Sequence, residues 1–168
     1  TDSYAGIRIT NVTWPNNFYV TNCIFCDNYY GILSNSVYAV NVSDSFFYNN
    51  SLSAINSLHE WGATELCIEA YGCLIYENGT GLITDLDMSV EKCTIVDNAN
   101  GITLSCNSTV CSMKNSIVYG NTAQITGLGT ASVTYSDIQG GYAGTGNINS
   151  DPLFVNAANN NYALTWSS

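Results

Sequence analysis

KCTIVDN, residues 92–98, decides the fold, because it is one of five segments that align without gaps. The others are NCIFCDN (22–28), DSFFYNN (44–50), GCLIYEN (72–78) and NSIVYGN (115–121), with YSDIQGG (135–141) a weaker sixth. One column reads Cys23, Ser45, Cys73, Cys93, Ser116, Ser136; two residues on, another reads Phe25, Phe47, Ile75, Ile95, Val118, Ile138. The first five segments end in Asn28, Asn50, Asn78, Asn98 and Asn121, at intervals of 22, 28, 20 and 23 residues. Self-similarity at such a period marks a solenoid, whose units bury their apolar faces on one another.

Downstream of each Asn, a small residue or Gln precedes an aliphatic: Gly31-Ile32, Gly81-Leu82, Gly101-Ile102 and Gln124-Ile125, with Ala54-Ile55 displaced by one. Gly6-Ile7 is the same feature in an incomplete first rung. Upstream, pairs such as Val40 and Val42 or Met88 and Val90 lie five and three residues before the Cys/Ser column. Residues an odd number apart cannot share one face of a flat strand, so a corner falls between the two blocks. Each repeat reads as strand, bend, strand, Asn turn, strand. The expected fold is therefore an all-β parallel solenoid of about seven rungs, three short strands per rung, roughly 35 Å long. Helical spacing shows only in 58–71, the longest interval. Asn at a bend tolerates left-handed backbone, and its amide can bond the next Asn up the stack, which predicts an Asn ladder. The Cys/Ser column reads as small side chains at a tight corner.

The 168 residues suit one domain, with rungs over 1–143 and a closing segment over 144–168. Thirteen acidic residues against three basic give a net charge of −10. Arg8, Lys92 and Lys114 are the whole cationic supply, too little for a nucleic-acid or anionic-membrane partner. No apolar run approaches the ~20 residues of a membrane span.

The pattern resembles the right-handed parallel β-helix repeats of the pectate-lyase-like superfamily, most of all those of non-catalytic bacterial and archaeal surface proteins and polymorphic outer-membrane proteins. GTGNINSDPLFVNAANNNYAL (144–164) resembles the segment that closes such helices. The resemblance implies right-handedness and an extracellular or cell-surface location. It leaves activity open, since this fold hosts lyases, hydrolases, adhesins and structural proteins. Superfamily lyases use acidic residues for calcium with an Arg or Lys base, and three scattered cations build no basic cleft. Glycoside hydrolysis needs two carboxylates about 5–10 Å apart. Glu77 and Asp97 share a column on neighbouring rungs; they could supply that pair, ligate Ca²⁺, or form an exposed acidic edge. Asp85 and Asp87 are a second calcium candidate. His59, the only His, sits with Glu60 and Trp61 in the longest interval and has no nucleophile beside it. The chain reads as a non-enzyme, with Ca²⁺ the one cofactor these residues could take.

Two columns should face away from the core: Ile24, Phe46, Leu74, Thr94, Ile117 and Cys26, Tyr48, Tyr76, Val96, Tyr119. Three readings compete: a platform for sugar rings, a surface against other subunits, or a face covered by the chain's own loops. Phe46, Tyr48, Tyr76, Tyr119 and Trp166 are the candidate assembly or glycan residues. The chain enters in mid-repeat and leaves on Leu164-Thr165-Trp166 without an amphipathic cap, so end rungs covered by another copy are expected. The expected function is an extracellular structural subunit of a self-associating filament or surface layer, with polysaccharide the alternative partner.

Seven Cys leave at least one unpaired within the chain. Cys23 and Cys26 point to opposite faces of a strand, which argues against joint chelation. Cys106 and Cys111 bracket four residues and are candidates for a local disulfide. N-x-S/T sequons begin at Asn11, Asn41, Asn49, Asn78 and Asn107, the candidate glycosylation sites.

Overall fold

The structure is a computed structural model that describes residues 3–10, 17–35, 39–58 and 68–165. Asn11, His59, Glu60, Trp61, Cys67 and Trp166 lie outside the described residues.

Eighteen short strands form three parallel six-stranded sheets, and the chain visits them in rotation. Sheet 1 holds β1 (Ser3–Ile9), β4 (Asn28–Ser34), β7 (Ser53–Ser57), β10 (Thr80–Thr84), β13 (Asn100–Leu104) and β16 (Ala123–Gly127). Sheet 2 holds β2 (Phe18–Thr21), β5 (Val40–Ser43), β8 (Ile68–Tyr71), β11 (Met88–Glu91), β14 (Val110–Lys114) and β17 (Thr130–Thr134). Sheet 3 holds β3 (Ile24–Cys26), β6 (Phe46–Tyr48), β9 (Leu74–Tyr76), β12 (Thr94–Val96), β15 (Ile117–Tyr119) and β18 (Asp137–Ile138). The result is a right-handed parallel β-solenoid. The seven repeats resolve into five complete turns, with β1 before them and β17–β18 after. Six strands per sheet span five spacings, so the prism is ~24 Å long rather than ~35 Å. Ile68–Tyr71, at the end of the stretch with helical spacing, is strand β8.

Like residues stack in register. Phe25, Phe47, Ile75, Ile95, Val118 and Ile138 face inward from sheet 3, and Ile7, Ile32, Ile55, Leu82, Ile102 and Ile125 from sheet 1. Val20, Val42, Ala70, Val90, Met113 and Val133 complete the core from sheet 2. The Phe25 and Phe47 rings stack with centroids 4.9 Å apart. A column of near-identical side chains packs without voids because each neighbour repeats its shape.

Two corners of each turn are made by left-handed residues. The first, between sheets 2 and 3, takes two residues in every turn and opens on Asn22, Asp44, Gly72, Lys92, Asn115 or Tyr135, with φ from 49° to 63°. The second, between sheets 3 and 1, uses Asp27, Asn49, Glu77, Asp97 or Gly120, with φ from 53° to 68°. The left-handed residue is thus the one before the ladder Asn, not the ladder Asn itself. That Asn must turn its amide along the stack, and its neighbour takes the strained backbone. The turn after Asn50 contains one residue more than its counterparts, Ser51 and Leu52 both preceding β7, which accounts for the displaced Ala54. Among the described residues the third corner, from sheet 1 to sheet 2, takes two residues (128–129), three (85–87) or five (105–109).

Both fixed corners are tied by polar ladders. Asn78 Nδ2 donates to the carbonyls of Phe47 (3.0 Å) and Tyr76 (2.9 Å) and to Asn98 Oδ1 (3.0 Å). Its own Oδ1 accepts from Asn50 N (3.0 Å) and Asn50 Nδ2 (2.9 Å). The same links join Asn98 to Asn121, where Gln124 Oε1 ends the run. The Cys/Ser column does more than fill a corner. Cys23 N donates to Ser45 Oγ, Cys93 N to Ser116 Oγ and Ser116 N to Ser136 Oγ, at 3.1–3.2 Å. At each step a γ heteroatom on the next rung receives a backbone N–H that the corner withdraws from the sheet.

Candidate interaction face

On sheet 3 the strands β3, β6, β9, β12 and β15 are three residues long and stack in register, so their outward residues form straight columns. Strand alternation places the two expected columns on this outer face. Ile24 is 63% exposed and Phe46 46%, with Leu74 half-buried beside them. In the second column Tyr48 and Tyr76 stack, centroids 5.1 Å apart and planes 15° apart, so the rings turn their faces to each other. Cys26 precedes them on the same face, while Cys23 packs against the core and donates its thiol to the Thr21 carbonyl at 3.3 Å. The two thiols therefore diverge, as strand parity requires.

Further along, the face is covered. Residues 151–165 fold back across sheet 3 as an antiparallel hairpin of β19 (Phe154–Asn156) and β20 (Asn161–Leu164), joined by a 3₁₀ turn at Ala157–Asn159. Tyr162, 7% exposed, packs on Tyr76 at 5.2 Å and meets Phe154 edge-on at 5.3 Å. Its hydroxyl donates to Asp97 Oδ2 at 2.9 Å, and Asn160 Nδ2 donates to Glu77 Oε2 at 3.2 Å. Val96 is 1% exposed, and Tyr119 is half-buried at a cavity of about 310 Å³ beside Leu153 and Phe154. The face is thus divided: open at Ile24, Phe46 and Tyr48, and closed by the chain's own segment from Tyr76 onward. Nothing in the periodicity of 144–164 signals this return, because the hairpin is held by single contacts rather than by register.

The carboxylates of Glu77 and Asp97 sit at left-handed corners and each accepts one hydrogen bond from the hairpin, while Asp97 also lines the cavity beside Tyr119. Asp87 Oδ1 accepts the Val110 amide at 2.8 Å, and the Asp85 carbonyl accepts the Thr109 hydroxyl at 2.9 Å. Among the described residues, no group of three His, Cys, Asp or Glu side chains comes close enough to hold a metal ion. The three cations are scattered. Arg8 lies 5.7 Å over the Tyr4 ring, Lys92 donates to the Tyr71 hydroxyl at 2.6 Å, and Lys114 pairs in register with Glu91 on sheet 2.

Phenol acidities follow the packing. A side-chain hydrogen bond with Cys26 is the main reason that the Tyr48 hydroxyl is pushed up to about 12. Burial raises Tyr76, and burial together with the Asp97 carboxylate raises Tyr162 further.

Two expectations are corrected here. Cys106 is exposed and Cys111 is fully buried in the sheet 2 core column, so the structure leaves both thiols free and facing different surroundings. Asn78 is 4% exposed with its amide nitrogen engaged in the ladder, so it cannot present that nitrogen for a glycan. Asn49 and Asn107 are exposed, and Asn41 is half-buried.

The end beyond β17 and β18 is covered at the corner and at β18, while β16 remains the edge of sheet 1. Tyr135 N and Ile138 N donate to the Thr145 and Ile148 carbonyls, and Asn147 Oδ1 accepts from Ser136 N at 3.1 Å, continuing the Cys/Ser ladder by one step. Tyr142 packs under it against the core.

A family model described as "Right handed beta helix region" matches residues 1–140. No curated protein and no solved structure matches the chain. The matched span runs from β1 through β18, the whole run of stacked strands, and the chain belongs to the right-handed β-helix family.

Proposed function

We propose that this chain is a non-catalytic structural subunit of an extracellular or cell-surface assembly, and that copies associate side by side through the open part of sheet 3. The observation that carries this reading is the exposed apolar ladder of Ile24 and Phe46, continued by Leu74. An apolar strip of this kind on a soluble chain marks a binding surface. Leu153, Val155 and Leu164 of the hairpin are 56%, 51% and 49% exposed and add apolar surface nearby. A second copy suits the strip because its own ladder repeats at the same ~4.8 Å spacing. Lateral contact is favoured over stacking at the far end, where Thr145 and Ile148 already take the Tyr135 and Ile138 amides at the corner and at β18.

Stacking of sugar rings finds less support, since Tyr48 and Tyr76 face each other and Tyr162 covers Tyr76. The non-catalytic reading is supported by the engagement of Glu77 and Asp97 with the hairpin.

Sedimentation velocity across a dilution series, paired with negative-stain microscopy, tests the proposal. Oligomers that dissociate on dilution and grow into filaments or sheets when concentrated are the expected result. An 18.1 kDa particle at every concentration overturns it, and retention of that monomer on a glycan array would move the assignment to carbohydrate binding.

A further inference from the structure

We propose that Cys73 and Cys93 form a disulfide between adjacent rungs when the chain folds in contact with a small-molecule disulfide such as glutathione disulfide. The two residues occupy the same column position immediately before β9 and β12. Their followers Leu74 and Thr94 pair in register, and the Thr94 amide donates to the Cys73 carbonyl at 2.9 Å. Neighbouring strands are ~4.8 Å apart, inside the 4.4–6.8 Å window of Cα separations that disulfides span. Both side chains point inward and are 2% and 1% exposed. Here alone in the column, two sulfurs are successive; Cys23 is followed by Ser45, and Cys93 by Ser116.

Each thiol donates to a carbonyl at its own corner, Cys73 to Tyr71 and Cys93 to Glu91, both at 3.4 Å. Their mutual hydrogen bond holds Cys73 below the ordinary thiol range and Cys93 well above it. While the column is still exposed during folding either thiolate can open the exchange; take Cys73. It displaces one glutathione thiolate to give a mixed disulfide; Cys93 then loses its proton, attacks the Cys73 sulfur and releases the second glutathione as thiol. One disulfide is consumed, one is formed, and two glutathione thiols leave. Burial confines the exchange to folding and shields the product from reduction afterwards. The pair does not depend on lateral assembly and would form in a monomer; an extracellular location would supply the oxidising surroundings.

The test refolds the reduced chain in a glutathione redox buffer and alkylates it in denaturant. Five of the seven thiols should be alkylated, with tryptic fragments 9–92 and 93–114 joined until a reductant is added. Cys73→Ser and Cys93→Ser should each leave the fragments separate. Both should fold, because Ser45, Ser116 and Ser136 fill the same column. The oxidised wild type should melt roughly 5–10 °C above its reduced form, a gap that either Ser variant closes. Seven alkylated thiols in refolded wild-type protein overturn the proposal, and so does a link that survives in both Ser variants.

Discussion

Tyr162 donates its hydroxyl to Asp97 Oδ2 across 2.9 Å and 65 residues of sequence, joining the closing hairpin to a left-handed corner of the fourth complete turn. That one bond, with the stacking of the same ring on Tyr76, decides how much of sheet 3 is open. Removing the hydroxyl with Tyr162→Phe should cost about 1–2 kcal/mol. Tyr162→Ala should cost about 3 kcal/mol or more, because the ring is buried. Denaturant unfolding measures the loss, and hydrogen exchange should show residues 152–165 released in the Ala variant. Unchanged protection there would mean that the hairpin is held by something else.

Asn78→Ala should be among the most damaging single changes in the chain. It strips three acceptors, the Phe47 and Tyr76 carbonyls and Asn98 Oδ1, of their donor and leaves the Asn50 amide groups without Asn78 Oδ1 inside the prism. Several buried groups lose partners at about 1–3 kcal/mol each, so a loss of at least 3 kcal/mol is expected. Asn107→Ala, at an exposed turn, should fall within about 0.5 kcal/mol of wild type. Equal effects from the two would remove the ladder as a source of stability.

Stability should fall in alkali in a defined window. Tyr48, Tyr76 and Tyr162 all hold their protons more tightly when folded, Tyr48 to about 12. The unfolded chain releases those protons near the ordinary value of about 10. Above that pH the unfolded state binds fewer protons than the folded one, so stability declines as pH rises. The contribution is complete below about 10 and is lost as pH rises through about 12, the folded value of Tyr48. Ultraviolet titration of phenolate should show a late-ionising subset among the twelve tyrosines. A single transition at the ordinary value contradicts it.

Thiol labelling of native protein should separate the two cysteines that bracket Asn107–Val110. Cys106 is exposed and should react in the native state, whereas burial pushes the Cys111 thiol up to about 12 and should protect it until unfolding. If both resist until a reductant is added, a local disulfide joins them after all.

Phe46→Glu should abolish concentration-dependent association while leaving the melting midpoint nearly unchanged, since the ring lies on the outer face and is half in solvent. Phe47→Glu, one residue on and fully buried, should prevent folding. Association that survives Phe46→Glu would place the contact elsewhere.

The stacked part of this fold was legible because its signals repeat. Six near-copies of one heptad expose the inward columns, and parity between Val90 and Cys93 shows where the chain must bend. The sequence places the left-handed position one residue late, since Asp97 and Asn98 both favour turns and only side-chain direction distinguishes them. The hydrogen-bonding role of the Cys/Ser column carried a usable sign, a γ heteroatom on every rung, that a reading by size alone passes over. The hairpin was not legible. Its docking rests on Tyr162, Asn160 and Phe154 meeting single residues far away in sequence, and no period connects them.

The unequal treatment of the three corners has an evolutionary consequence. Two edges of the prism are tied by ladders that count residues up to the ladder side chain; an extra residue is carried only beyond it, as after Asn50, and one added before it would put that side chain out of reach of its partners. The third edge has no such counter and, among the described residues, already takes two to five residues. New sequence can be spliced in along that edge, one loop per turn, without either ladder registering the change. The body of the prism thus stays constant at two edges while the third sets its own length turn by turn.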